Sequence, residues 1–428
     1  MLPVVLFLMA WFFFYLLLVR LTRNAAFRLS PAQLALVFSL KTIMGCVYGW
    51  LFLTWYGGDD TWVIHDDTLA EWAQMKINPL RVFTYDIRLD QYIQDWGWKE
   101  GLSYFRMKLE KALINKPLGV FNFYSQGNYY INVVAFSFMS FWGGFWLYQV
   151  LAHLVPKYKS WTFLVIFLYP PALFWLSGIR SDAVLFFFFS LLIARLSVIF
   201  SGKGRPVHWF ISILAWLGII VVKASFAFLL LLPITCWWLV SQKGASLYKA
   251  FFGVHLIAMF LFFLSGLLPG ALNLPRAVLS VQQDFFALEG NTRVALPALT
   301  TSPVSYMRNL PAALDNIFLR PYPWEAKGIL QYGMVAQNIF IICLLLALVL
   351  KRFPGRVELV PHSMIWALAF FSFTFYLSIG YTIPFPGAVI RYRVIPETLL
   401  VWLLSIGALG KEVIYYNFFN VYKNRINS

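Results

Sequence analysis

Apolar runs about as long as a bilayer is thick recur along the chain, separated by polar breaks. A helix that crosses the hydrocarbon core needs about 20 predominantly apolar residues. The runs are 2–19, 34–56, 129–153, 160–178, 182–200, 207–222, 225–241, 250–268, 333–350, 363–384 and 393–410, which predicts about eleven transmembrane helices. Only Lys223-Ala224 divides the sixth from the seventh. Two breaks are long, 57–128 and 269–332. In the first, residues 102–114 set Arg106, Lys108 and Lys111 among apolar positions at helical spacing, the pattern of a helix lying on a membrane surface. The expected class is an all-α polytopic membrane protein. A single transmembrane domain over 1–428 carries two long loops with short amphipathic helices.

Composition supports this class. Of 428 residues 61% are hydrophobic and 12% charged, too apolar for a soluble core, so lipid is the solvent for much of the chain. Cys46, Cys236 and Cys343 sit inside apolar runs, with neither disulfide nor zinc-site spacing. The net charge of +16 would suit nucleic acid, but its distribution points elsewhere. With Arg20, Arg23 and Arg28 called cytoplasmic, alternation puts several further groups on the same side. These are Lys157 and Lys159, Lys203 and Arg205, Lys243 and Lys249, then Lys351, Arg352 and Arg356, then Lys411, Lys423 and Arg425. This is the positive-inside pattern. It puts the N-terminus outside, the C-terminus in the cytoplasm and both long loops outside, and predicts membrane lipid, not nucleic acid, as partner. Fourteen of the eighteen acidic residues lie in the two long loops, so the available chemistry gathers on the outer face.

The second run leads directly into Gly57-Gly58-Asp59-Asp60-Thr61-Trp62, then His65-Asp66-Asp67. Two glycines allow a sharp turn, and paired carboxylates can divide acid and base roles or hold a cation. Asp66 or Asp67 reads as the N-cap of a helix over 68–76. Asp59 and Asp60, flanked by Gly-Gly and Trp62, are the stronger functional candidates. His65 is a candidate base or a surface histidine. Further on, Pro170-Pro171 breaks the fourth run, and Arg180 and Asp182 fall at the mouth of the fourth and fifth helices. Charge at such a position is costly and is a functional candidate by default, with an Arg180–Asp182 pair closing a turn as the simpler reading. Lys223 lies at another such junction, where snorkelling accounts for it. The second loop holds Arg320-Pro321-Tyr322-Pro323-Trp324-Glu325. Near the end come Arg391-Tyr392-Arg393 and Pro396-Glu397. In an extended segment Arg391 and Arg393 face the same way and could grip a phosphate, with Glu397 orienting one of them.

The acidic pair Asp59-Asp60 just beyond an early span, the first loop with amphipathic helices at 66–78 and 102–116, and the late Arg391-Tyr392-Arg393 followed by Pro396 resemble the GT-C superfamily of membrane glycosyltransferases. The loop here follows the second span rather than the first. The resemblance implies a polyprenyl-phosphate sugar donor, a glycan or lipid acceptor and catalysis on the non-cytoplasmic face. It implies Asp59 or Asp60 as the base and Arg391 and Arg393 on the donor phosphate. Arg180, Asp182, Arg320 and Glu325 would line the substrate cleft, with His65, Trp324, Tyr392 and Glu397 beside them. No cofactor is required, although a divalent metal could bind the acidic cluster. A polysaccharide polymerase or ligase, or a lipid or glycan transporter, is the alternative. Compact loops point to a prokaryotic inner (plasma) membrane with the active face outward.

Overall fold

The computed structural model describes residues 1–83, 88–290, 292–350 and 362–409. Asp86 and the basic residues Lys351, Arg352, Arg356, Lys411, Lys423 and Arg425 lie outside them. The described residues form helices and connections, with no strand among them. The chain divides into two compact units, Met1–Ala227 and Phe228–Ser428.

In unit 1 the helices are α1 (Leu2–Thr22), α2 (Pro31–Tyr56), α3 (Asp59–Ile77), α4 (Leu89–Ser125), α5 (Tyr129–Leu154), α6 (Lys159–Phe163), α7 (Pro170–Trp175) and α8 (Ser181–Val198). The long α9 (Pro206–Lys243) begins in unit 1 and ends in unit 2. Unit 2 continues with α10 (Leu247–Leu264), α11 (Leu274–Ala287), α12 (Pro303–Phe318), α13 (Ile329–Leu350), α14 (Ser363–Thr382) and α15 (Pro386–Leu409). In unit 1, α5 packs on α8, α2 and α1, and α3 pairs with α4; in unit 2, α14 packs on α15, α12 and α11.

Among the described residues, eight helices are long and apolar enough to cross a membrane, so this is an integral membrane protein. They take in nine of the eleven expected runs, because α9 holds two of them. At 38 residues, α9 is nearly twice the length a crossing needs. Its dihedrals leave the helical region at Lys223 (φ −153°, ψ 87°), the residue at which the sequence divides the two runs. The run 160–178 is α6, a π-helical turn over Leu164–Leu168, and α7. Pro170 and Pro171 start α7 rather than interrupting a helix, since proline fits the first turn, where no intrahelical N–H is needed. The run 393–410 lies in α15, which carries Arg391, Arg393 and Glu397. In the best apolar windows of α1 and α10 only 11% of the residues are buried. Leu8, Phe12, Phe13 and Leu16 on α1 are open, as are Leu256, Ile257, Met259 and Phe260 on α10. Such surfaces are stable only against an apolar solvent.

The two long breaks are themselves helical. The first is α3 and α4, with a break in α4 at Gly97 (φ 76°, ψ 173°); the second contains α11 and α12. The structure corrects the capping expectation. Helix α3 starts at Asp59, not after Asp66 or Asp67, so those two residues are mid-helix. The carboxylates of Asp59 and Asp60 fall in its first turn, where the helix dipole favours negative charge.

Candidate functional site

The turn from α2 into α3 fixes the position of the acidic pair. Gly57 (φ 69°), Gly58 (φ 121°) and Asp59 (φ 46°) are three successive residues with positive φ. Glycine takes up such angles freely. Asp59 pays for its angle, although Asp tolerates the left-handed region better than most residues. The reversal is anchored on α2 and α5. Trp62 Nε1 donates to Gly49 O at 2.9 Å, the Trp62 ring stacks on Tyr129 at 4.3 Å, and the Thr61 and Tyr129 hydroxyls hydrogen bond at 2.8 Å.

These contacts hold the acidic pair against Arg180. Arg180 Nη1 donates to Asp59 Oδ2 at 2.9 Å and to the Tyr48 hydroxyl at 2.7 Å, and Nη2 donates to Asp60 Oδ2 at 2.5 Å. Asp182 Oδ2 lies 3.8 Å from Nε. The Arg180 side chain is 4% exposed, whereas those of Asp59 and Asp60 are 32% and 58% exposed. Burial works against the Arg180 charge, but Tyr48, Asp182, Asp60 and Asp59 outweigh it and hold the guanidinium above its ordinary range. A fixed cation therefore presents two accessible carboxylates at the surface of unit 1.

Glu110 of α4 extends the cluster. Ser181 hydrogen-bonds its side chain, and Arg106, Asp182 and Lys223 act on its charge. Burial raises its carboxyl above the ordinary value, and the bond from Ser181 and the cations Arg106 and Lys223 partly offset the rise. Arg106 lies 3.5 Å from Glu110 and donates to Val221 O at 2.8 Å and Val222 O at 3.2 Å. A broken helix leaves carbonyls without intrahelical partners, and these must be satisfied where water is scarce; Arg106 does this at the break beside Lys223. Sequence reading did not single out Glu110 or Tyr48 as site residues. The helical interval of Arg106 and Glu110 was the available signal for Glu110, and Tyr48 lay hidden in an apolar run. Lys41 was missed too. It is buried in α2 and donates to Leu176 O at 3.3 Å, a carbonyl that also accepts from Ser140 Oγ.

His65 is buried on α3, with ring centroids 5.5 Å from Trp62 and 5.3 Å from Tyr129. Its Nδ1 meets no hydrogen-bond partner among the described residues. Burial lowers its pKa, and Asp66 and the Gly127 backbone act in the opposite direction.

The other candidates belong to unit 2. Arg320 pairs with Asp315 at 2.8 Å and Glu325 at 3.2 Å. Trp324 is 79% exposed and stacks on Tyr322 at 4.9 Å. The segment holding Arg391 and Arg393 is helical rather than extended, so two residues correspond to about 200° around the axis and the two guanidinium groups do not share a face. Arg393 points inward and is 1% exposed. Its Nε lies 2.6 Å from Glu397 Oε2, Nη2 donates to Asn338 Oδ1 at 2.5 Å, and Nη1 donates to Ile317 O at 2.5 Å. Gln337 and Tyr376 also donate to the Glu397 carboxylate. Arg393 and Glu397 thus form a closed internal pair. Arg391 is half-buried, lies 4.8 Å over the Tyr392 ring and donates to its hydroxyl at 3.0 Å.

Among the described residues, no group of three or more His, Cys, Asp or Glu side chains is arranged to hold a metal ion. No family model, curated protein or solved structure matches the chain.

Proposed function

We propose that the protein is a membrane glycosyltransferase of GT-C type that moves a sugar from a polyprenyl-phosphate donor to a glycan or lipid acceptor. The carrying observation is the pair Asp59 and Asp60, open to the exterior and held by the buried Arg180. One carboxylate takes the proton of an acceptor hydroxyl. The acceptor oxygen bonds to the anomeric carbon as the bond from that carbon to the phosphate oxygen breaks. The polyprenyl phosphate leaves with the electron pair, and the anomeric centre inverts. Arg180 keeps the carboxylates oriented, so little rearrangement is needed at the moment of transfer. Arg393, closed in its own ion pair, is not proposed for the donor phosphate.

The proposed topology has eleven crossings. The eight apolar helices supply nine, counting the two halves of α9, and α15 and the broken segment 159–175 supply two more. The distribution of Lys and Arg supports a non-cytoplasmic position for the turn from α2 to α3.

The test is sugar release and transfer from radiolabelled polyprenyl-phosphate sugars by purified protein. Asp59→Asn and Asp60→Asn are assayed separately. One Asp variant is expected to lose 10²- to 10⁴-fold in rate, roughly what a general base contributes. Folded protein without turnover on any such donor would overturn the proposal.

A further inference from the structure

The segment that delivers Arg180 to the acidic pair is irregular yet wholly enclosed. Leu176, Ser177, Gly178, Ile179 and Arg180 form no helix, and all five are buried. Non-helical backbone inside a membrane protein persists only where neighbouring groups satisfy it. The first carbonyl of the segment, Leu176 O, accepts from Lys41 Nζ at 3.3 Å and from Ser140 Oγ at 2.5 Å. Lys41 lies near the middle of the membrane-crossing α2 and is 6% exposed. An ionisable side chain in such a place is costly and marks function by default.

Lys41 is the first of three residues on one face of α2 that follow this segment step by step. Lys41, Gly45 and Tyr48 are four and three residues apart, which stacks them along the helix. Lys41 holds Leu176 O. Gly45 faces Ser177, and a Cβ there would come 2.6 Å from Ser177 O. Gly178 lies against the Tyr48 ring, where a Cβ would come 2.5 Å from Cδ1. The Tyr48 hydroxyl then accepts from Arg180 Nη1, which also donates to Asp59. Close contact therefore runs without interruption from Lys41 to the guanidinium.

We infer that Lys41 is a positioning residue for the acidic pair: by holding Leu176 O it fixes the segment 176–180 along α2, and so the point at which the Arg180 guanidinium meets Asp59 and Asp60. Its effect on sugar transfer rests on the glycosyltransferase reading; its effect on the two carboxylates does not.

Carbodiimide labelling of Asp59 and Asp60 in the purified full chain, read by peptide mass spectrometry, tests the inference without a substrate. Asp315, paired with Arg320 in unit 2, is the internal control. Lys41→Met should raise labelling of the acidic pair about three- to tenfold, the factor for one intramolecular hydrogen bond, and leave Asp315 unchanged. Lys41→Arg, which keeps its donors, should restore the parent's rate. Leu176 O retains its bond from Ser140, so Lys41→Met leaves that carbonyl with a donor and should fold. Lys41→Gln, with a shorter side chain, is the second variant and should give the same rise. In an Arg180→Gln background Lys41→Met should add nothing, because it acts through Arg180. In the transfer assay Lys41→Met should lower kcat by a similar factor and leave KM unchanged. A parent and variants that label as expected but transfer no sugar would overturn the glycosyltransferase reading and support the positioning role. Parent-like labelling in both Lys41→Met and Lys41→Gln, an equal rise at Asp315, or an undiminished rise in the Arg180→Gln background would overturn the inference.

Discussion

Arg180 in unit 1 and Arg393 in unit 2 are both almost wholly buried, and each is bound to carboxylate, yet the two clusters are built for different work. Around Arg393 the partners Glu397, which is 0% exposed, Asn338 and Ile317 O are internal, and Gln337 and Tyr376 join through Glu397. Around Arg180 the cation, Tyr48 and Asp182 are internal, but the carboxylates of Asp59 and Asp60 are open to the surface. A buried ion pair carries a desolvation cost that must be recovered from attraction and hydrogen bonds, so removing one partner is severe. Half-open carboxylates keep much of their hydration and can exchange protons with a substrate. The same residue types thus act as a structural clasp in one place and as a presented reactive group in the other.

Stability should separate the two clusters most sharply. Glu397→Ala leaves Arg393 buried without its charge partner and is expected to cost about 3–5 kcal/mol, read by denaturant unfolding in detergent. The double change Arg393→Met with Glu397→Leu should recover most of that loss, because a packed apolar pair replaces the ion pair. Asp60→Asn, at a largely exposed carboxylate, should cost within about 1 kcal/mol while affecting transfer. Comparable losses at the two sites would break the comparison.

The turn into α3 provides the next test. Gly58 sits at φ 121°, an angle that costs a side-chain-bearing residue about 1–3 kcal/mol. Gly57 is at φ 69°, and a Cβ there would meet nothing within 4 Å; alanine in this left-handed region costs about 1–2 kcal/mol. Gly58→Ala should therefore destabilise more than Gly57→Ala. It should also lower transfer by displacing Asp59 and Asp60 from Arg180. The two variants compared by unfolding and by sugar transfer check this. Equal effects would mean that the backbone angle at Gly58 does not set the acidic pair.

What could be read in the sequence follows from the length over which each signal acts. Long apolar runs are written locally, so the spanning helices were legible, as was the division of α9 at Lys223. The start of α3 was not, because Gly-Gly reads as a turn and Asp66-Asp67 offers a familiar cap. Contacts of Trp62 and Thr61 with residues of α2 and α5 draw the helix start back to Asp59. Arg180 was legible as a costly charge at a helix mouth, but its partners Asp59 and Asp60 are 121 and 120 residues away, which no local pattern encodes. Arg391 and Arg393 misled as a pair because the prolines around them suggest extended chain. Pro386 instead opens a helix, and the four-residue spacing of Arg393 and Glu397 was the truer cue.

The smallest expected effect is pH dependence, and it has opposite signs at two residues of unit 1. His65 is buried and its pKa is lowered, chiefly by burial. An unfolded chain takes up that proton near the ordinary value of about 6.5, while the folded chain takes it up only at lower pH. Between the two values the unfolded state holds more protons, so stability falls as pH drops through that window. Glu110 runs the other way. Its carboxyl is raised by burial, so the folded state keeps a proton that the unfolded state has released, and stability falls as pH rises from the ordinary carboxylate value through the raised one. Unfolding measured from pH 4.5 to 7.5 should therefore show His65→Gln with a flatter acid limb than the parent. Glu110→Gln should lose less stability on the rise from pH 4.5. Parallel curves for the parent and His65→Gln would mean that the histidine between Trp62 and Tyr129 is as easily protonated folded as unfolded, and that the packing beneath the acidic pair is open to water.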